Sequence, residues 1–464
     1  MKQDAKTMYS TLSPWRLFFT VALPGMVSMF TMSLYSTVEG VFIGQKLGQA
    51  ALAAVNIALP VVMINFSLAD MVGVGSSAPI SIALGRKDEE TANNIFSCAM
   101  TMILIIALAM GALMYLAAEP LVRLMGAEAA IVETAARYTR TYALFSPLTT
   151  LFFAMDNYLR ISGFVKTSMV INICSNAGTI ALLVVFLLVL EMDVVGSALA
   201  ACVSMALCSL VALVPFLRGK ALLKFVRPRF RGAILREILA CGCPTFLNNI
   251  AGRVTSVLMN ISLMTLGTKA LGIGGGTTAV AAYSVLMYAS DLCMPLLYGM
   301  SDSLSPALGF NWGAGDHRRV RQLLGCNCIG GCAVSVGATA VLFFGGEFVT
   351  ALFVDSGDVA LTQLTLHALR LFCLTYLTRW FSMAAQSFLS AIGKPLQATV
   401  LSVSIALVFP ALLLGGLWWL GLDGVWLNTP GTALLSGLLG AALLGSVLKK
   451  DRLENQEEGK FRNL

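Results

Sequence analysis

The sequence predicts an all-α, polytopic membrane protein in which twelve transmembrane helices form two six-helix lobes related by an internal parallel repeat. Composition is the first observation. Of 464 residues, 57% are hydrophobic and only 12% are charged, too little polar surface to keep a soluble protein of this size dispersed. The second is a series of apolar runs, each about 20 residues or longer, the length that crosses a bilayer. They are continuous and not alternating, which selects helices over a barrel. The third is self-similarity. "LAAVNIALP" at 52–60 realigns with "VAAYSVLMY" at 280–288, an offset of 228 that also pairs Ser77 with Ser305, Gly85 with Gly313, Asp88 with Asp316 and Gly196 with Gly424. An offset of 230 pairs Arg140 with Arg370, Leu159 with Leu389 and Gly163 with Gly393. Six spans per half is an even number, so the halves share one orientation and an axis along the membrane normal.

The expected spans are 15–38, 50–75, 94–118, 134–158, 167–190, 194–217, 238–264, 277–300, 323–346, 364–390, 396–420 and 424–447. They divide the chain into an N-terminal lobe (1–217), a basic linker (218–237), a C-terminal lobe (238–448) and a tail (449–464). No connecting loop is long enough for a soluble domain. Lys and Arg set the orientation. With the N-terminus cytoplasmic, 23 of the 31 basic residues fall in cytoplasmic segments and 6 on the opposite side, with Arg253 and Arg379 inside spans. Both termini therefore face the cytoplasm, and the location is the plasma membrane. The net charge of +7 lies in short loops and is no nucleic-acid signal. The first apolar run is too long for a cleavable signal and lacks an A-x-A site.

In chain order, the first span raises the sharpest question. "YSTVEGVFIG", residues 35–44, puts the carboxylate of Glu39 near the end of an uncharged apolar run. An ionised carboxylate in hydrocarbon costs about 3 kcal/mol by insertion scales. Tyr35 stands one turn earlier on the same helical face, where a phenol can hydrogen-bond the carboxyl group in either protonation state. Pro24, about 22 Å upstream along a helix, removes a backbone bond and permits a bend. Desolvation favours the neutral form of an acid, so a carboxyl group here can hold a proton and release it when water or a cation arrives. The competing reading is a carboxylate satisfied at the outer interface.

Asp70 lies deep in the second span and is a candidate ion-coupling carboxylate if it faces the same cavity as Glu39, and Asp156 is close enough to the cytoplasmic end of the fourth to reach the interface. Asn56, Asn65, Asn172 and Asn176 in the first half, and Asn248, Asn249, Asn260 and Gln386 in the second, either line a cavity or join helices. Arg253 and Arg379 either pair with Asp291 and Asp302 or line a second-lobe cavity. "GIGGGTT" at 272–278 is a flexible loop, since no strand precedes it. No P-loop is present. The eleven Cys mostly sit inside apolar runs, and Cys326, Cys328 and Cys332 lack nearby His or carboxylate partners, so neither disulfide framework nor metal site is expected. Small-xxx-small pairs such as Ser436/Gly440 read as close helix packing.

"LYSTVEGVFIGQKLGQAALAAVNIALP" (34–60) resembles the first-span signature of the multidrug and toxic compound extrusion (MATE) family, and "SPALGFNWGAGDHRRV" (305–320) its second-half counterpart; "YLRISG" (158–163) and "VVGSALA" (194–200) also fit. The resemblance covers essentially the whole chain. It implies a V of two six-helix lobes, a monomer, and export of lipophilic or cationic compounds in exchange for protons or sodium, without a cofactor. Glu39 takes the place of the family's usual first-span Asp, Tyr35 that of an associated tyrosine, and Pro24 that of the helix-bending proline. Sodium-binding members carry an Asn and an Asp four apart in the fifth span, where Thr179 and Leu183 stand here, with Asn172 and Asn176 near enough to compensate in part. Proton coupling is the expectation, with sodium as the alternative ion.

Two other classes are weighed. A flippase for lipid-linked intermediates shares the superfamily architecture and would hold pyrophosphate with cavity cations, for which Arg253 and Arg379 are a small hint. A membrane enzyme needs a convergent His/Asp or Ser/His cluster, and the chain has only two His.

Overall fold

A computed structural model describes residues 5–354 and 358–462, nearly all of them helical. A short helix α1 (Ala5–Thr11) precedes α2 (Pro14–Gly85), which is continuous for 72 residues apart from one break at Gly48. Gly48 has φ 83°, a conformation open to glycine at no steric cost. It divides α2 into two apolar segments, Pro14–Gly48 and Ala50–Gly85. The first two spans are therefore much longer than 15–38 and 50–75. The intervening residues contain no other breaker and stay helical, which places Glu39 nine residues inside a helix and not at its end.

The chain continues through α3 (Glu89–Leu116), α4 (Ala118–Leu124), α5 (Ala129–Ile161), α6 (Val165–Val184), α7 (Val194–Leu217), α8 (Gly232–Leu271), α9 (Gly275–Gly313) and α10 (His317–Phe344). The remainder is α11 (Gly346–Phe353), α12 (Val359–Phe372), α13 (Thr375–Ala391), α14 (Pro395–Val403), α15 (Phe409–Gly416), α16 (Leu422–Trp426) and α17 (Asn428–Arg462). Two π-helical turns, Val185–Val189 and Ser404–Val408, extend α6 and α14. The Thr255 hydroxyl on α8 donates to the Ala406 carbonyl in the second of them, a carbonyl that the wide turn leaves available.

Ten helices among the described residues are long and apolar enough to cross a membrane, against the twelve runs expected. The expected fourth span is α5, long enough at 33 residues but carrying Glu133, Arg137, Arg140, Asp156 and Arg160. The expected tenth span is broken at Cys373–Leu374 into α12 and α13. Chain packing sorts the protein into two compact units, Met1–Phe246 with Tyr298–Leu323 and Ala391–Gly393, and Leu247–Leu297 with Leu324–Ser390 and Lys394–Leu464.

The first unit is built on close helix crossings. A Cβ on Gly25 would meet Ser303 Oγ at 1.8 Å and Gly299 O at 2.3 Å; one on Gly75 would meet Ile238 O at 2.2 Å; one on Gly85 would meet Phe310 O at 2.0 Å. A Cβ on Gly313 would likewise meet Ile82 O at 2.1 Å. Gly85 and Gly313, equated by the 228-residue repeat, thus lie in the same crossing. Small residues that let backbones approach are the usual device of membrane helix packing. Polar contacts fix the same segments: Asn311 Nδ2 donates to Tyr9 O at 3.2 Å, and Arg319 donates to Tyr9 O at 3.0 Å and to Leu12 O. Around α2, α5 and α7 the core is alanine-rich (Ala54, Ala58, Ala135, Ala198, Ala201) with Tyr138 and Tyr142 among it. Asn65 acts as interhelical glue there, its amide donating to Ser146 Oγ at 2.9 Å, while Ser146 also bonds Ala107 O on α3. In the second unit, Asn428 Nδ2 donates to Pro410 O at 2.8 Å, tying α17 to α15 beside the buried Trp426.

Candidate functional site

Two polar clusters lie within the first unit. The first surrounds Glu39. The Tyr35 hydroxyl, one turn earlier on α2, is hydrogen-bonded to the Glu39 carboxyl group, as their spacing predicts. Glu39 also lies within electrostatic reach of the buried phenols of Tyr138 and Tyr142 on α5 and the buried Cys202 thiol on α7. The two α5 rings sit 5.2 Å apart. Glu39 Oε1 is buried without a hydrogen-bond partner, and among the described residues no ion pair to Glu39 is recorded. Glu39 is thus partly buried, with one carboxyl oxygen enclosed and phenols and a thiol nearby.

On α6, Thr179 is buried and donates to Ser175 O at 2.8 Å, and Asn176 Nδ2 donates to Thr31 Oγ1 on α2 at 3.3 Å. Leu183, where sodium-binding family members carry an acid, is fully buried in an apolar cluster with Leu187 and Ala200, against Phe42 and Leu47. Asn172, expected to compensate in part for the missing fifth-span acid, is engaged elsewhere in this structure. Its amide donates to Asp156 Oδ1 at 2.6 Å and to Ser168 O at 3.0 Å, because seven residues along a helix place it about 10 Å from Thr179.

Asn172 belongs to the second cluster, which sequence reasoning missed. Asp156 does not reach an interface. Its Oδ2 pairs with Arg160 Nη2 at 2.5 Å, with side-chain exposures of 15% and 5%, and its Oδ1 also accepts from Ser168 Oγ. Arg160 further donates to Ser168 Oγ at 3.3 Å and to Ser303 Oγ on α9 at 3.2 Å, while its own carbonyl accepts from the Tyr9 hydroxyl. Arg160 is not a loop cation: α5 runs to Ile161 and the side chain is buried. Asp70 lies within electrostatic reach of Asp302 and Asp156, and Asp302 within reach of Arg160. Asp302, the next residue to Ser303, thus finds its cation in the first half of the chain. Its own side is open to solvent. In the sequence, the signal for this pair is the i,i+4 spacing of Asp156 and Arg160.

Among the second-half candidates, Arg253, Asn260 and Asp291 are exposed, Asn248 and Gln386 are partly buried, Asn249 is exposed, and Arg379 is partly buried with its Nε lacking a hydrogen-bond partner. Asp291 and Asn249 are engaged in contacts of their own. Among the described residues no group of three or more His, Cys, Asp or Glu is arranged to hold a metal ion.

The MatE family model matches residues 24–186 and 244–413, one segment in each half of the repeat. The multidrug export protein MepA of Staphylococcus saprophyticus is 23% identical over 459 residues, covering 98% of each chain. A MATE crystal structure in the straight conformation superposes with a TM-score of 0.89 at 23% identity, covering 97% of this chain and 99% of that one. One in the bent conformation gives 0.84 at 22% identity over 97% and 99%.

Proposed function

From the premise that this chain belongs to the MatE family of membrane transporters, we propose that it is a secondary antiporter exporting lipophilic, often cationic compounds in exchange for protons. The reading rests on one observation above the rest: a single carboxyl group, Glu39, sits among three phenols and a thiol with one oxygen unpartnered and no counter-cation. In such surroundings an ionised carboxylate is expensive, so its charge must be met by a transferable cation. A hard metal cation is held by several oxygen ligands, carboxylates prominent among them. The apolar Leu183 at the family's fifth-span acid position supports a proton over sodium. Substrate and proton then compete for Glu39: its ionised form holds a cationic substrate, and protonation from outside releases it. Pro24 supports bending of the first half of α2 between states, since its ring leaves the Thr20 carbonyl without an amide donor. The direction of export is taken from the multidrug export relatives, and the distribution of Lys and Arg supports cytoplasmic termini.

Dye efflux from proteoliposomes under an imposed pH or sodium gradient tests the proposal. Wild-type protein transports under the pH gradient alone. Glu39→Gln inserts in normal amount and loses pH-driven efflux. Normal efflux by that variant would sink the mechanism, and efflux driven by sodium alone would replace the coupling ion.

A further inference from the structure

The basic linker is held as a fixed surface. Residues 218–231 carry Arg218, Lys220, Lys224, Arg227, Arg229 and Arg231 and join the end of α7 to the start of α8. They do not hang free. The amides of Lys224, Val226 and Arg229 donate to Asn93 Oδ1 (2.8 Å), Ser97 Oγ (2.9 Å) and Asn94 Oδ1 (2.8 Å), and Asn94 Nδ2 returns a bond to Arg229 O (3.2 Å). The strip therefore lies along the first turns of α3. Since α3, α7 and α8 are each long and apolar enough to cross a membrane, it runs in the plane where three spans end.

Within that strip, hydrophobic and cationic side chains are exposed together. Phe225, Val226 and Phe230 are 43%, 42% and 49% exposed, alternating with exposed Lys224, Arg227, Arg229 and Arg231. Phe225 leans on the buried Phe96, ring centroids 4.9 Å apart, so its position is fixed while much of it stays uncovered. The acidic residues at the start of α3 are already engaged. Glu90 pairs with Arg229 at 3.1 Å, Glu89 pairs with Lys6, and Asp88 accepts from the Thr91 amide. Lys224, Arg227 and Arg231 form no ion pair recorded among the described residues.

We propose that residues 224–231 are a docking site for an anionic phospholipid. Lys224, Arg227 and Arg231 take the headgroup phosphate, while Phe225 and Phe230 enter the boundary between headgroups and acyl chains. Basic clusters at the ends of membrane spans attract anionic lipid, and exposed aromatic rings favour that boundary. The prealigned backbone sets this strip apart from a mobile basic loop, because only the side chains need ordering on binding. The site is separate from Glu39 and its readout is lipid retention, so its failure and that of the antiport reading are independent.

The test uses the full chain in non-ionic detergent, titrated with phosphatidylglycerol or phosphatidylcholine and followed by native mass spectrometry. Wild-type protein retains phosphatidylglycerol selectively. K224Q/R227Q/R231Q weakens retention roughly a hundredfold, about 1 kcal/mol per cation, while R86Q/R318Q/R321Q, which neutralises three exposed cations elsewhere, keeps wild-type affinity. F225A/F230A weakens retention of the lipid. The proposal is overturned if the linker variant binds phosphatidylglycerol as wild type does, or if the control variant loses as much. It is also overturned if glycerol phosphate without acyl chains binds as tightly as the lipid.

Discussion

Arg160→Met removes one partner of the most enclosed ion pair in the first unit. Three bonds go with the guanidinium: 2.5 Å to Asp156, 3.3 Å to Ser168 and 3.2 Å to Ser303. Asp156 keeps its contacts with Asn172 and Ser168 but loses its counter-charge, and Asp302 loses the cation within its reach. Removing one member of a buried pair costs about 3–5 kcal/mol, mainly because the survivor is left uncompensated. Asp156 retains 15% side-chain exposure, so some solvent reaches it and the lower end, about 3 kcal/mol, applies. If uncompensated charge is the cause, Asp156→Asn in the same chain relieves it, and the double variant is more stable than R160M alone. Unfolding of the purified variants, followed by tryptophan fluorescence, gives the double-mutant cycle. A single variant as stable as wild type, or a double variant whose losses simply add, would refute charge compensation as the role of Arg160.

Tyr35→Phe removes the hydrogen bond to Glu39 while preserving ring packing. Transport persists with a displaced pH profile, measured in proteoliposomes, and an unchanged profile would remove Tyr35 from the coupling site. Gly75→Ala drives a Cβ to 2.2 Å from Ile238 O and costs about 1–3 kcal/mol by overpacking, whereas Gly325→Ala, which meets open space, is neutral or stabilising; comparable melting of the two would contradict the crossing. Asp88, between the second and third spans, caps α3 by accepting from the Thr91 amide at 3.0 Å, and those Thr91 hydrogen bonds hold its carboxyl below the usual range, aided by Arg86. The cap therefore stabilises above about pH 4 and its benefit fades as pH falls through the lowered value. Asp88→Ala should melt earlier than wild type at neutral pH, by about 1 kcal/mol of capping, with the gap closing in strong acid.

What was legible in the sequence depended on range. Tyr35 and Glu39 are four apart on one helix, and helical geometry alone brings them together. The repeat register located Gly85 and Gly313, although nothing in the sequence said that they share one crossing. Asp70, Asp156 and Asp302 come from α2, α5 and α9, and only the packed chain shows that they lie within reach of one another, with Arg160 beside Asp156 and Asp302. The span count differs for related reasons: ten helices among the described residues are both long and apolar enough to cross a membrane, and the other two expected spans are α5 and the broken pair α12 and α13. Hydropathy averages over a segment, so α5 reads as less apolar because of its charges, although Arg137, Arg140, Asp156 and Arg160 are each held in an ion pair. The expected tenth span has the composition of one helix but breaks at Cys373–Leu374, a local backbone choice that composition does not record.

The charge balance of the two clusters argues for a division of labour between them. Asp156 has Arg160 at 2.5 Å and further donors in Ser168 and Asn172, so its negative charge is met by fixed partners. It needs no mobile ion and is suited to hold α5, α6 and α9 in register. Glu39 has a phenol hydrogen bond and no ion pair recorded among the described residues, so on the proposed reading its charge is met by a proton that arrives and leaves. A group of that kind can report the proton supply on one side of the membrane to the substrate-binding state of the protein. Moving a cation beside Glu39, for instance by Cys202→Lys on the facing helix α7, should satisfy the carboxylate permanently. Such a variant would fold with Glu39 ionised and be blind to the pH gradient, losing coupled efflux while Asp156 and Arg160 remain intact. Retained pH-driven efflux in a correctly inserted C202K protein would show that the coupling proton binds elsewhere.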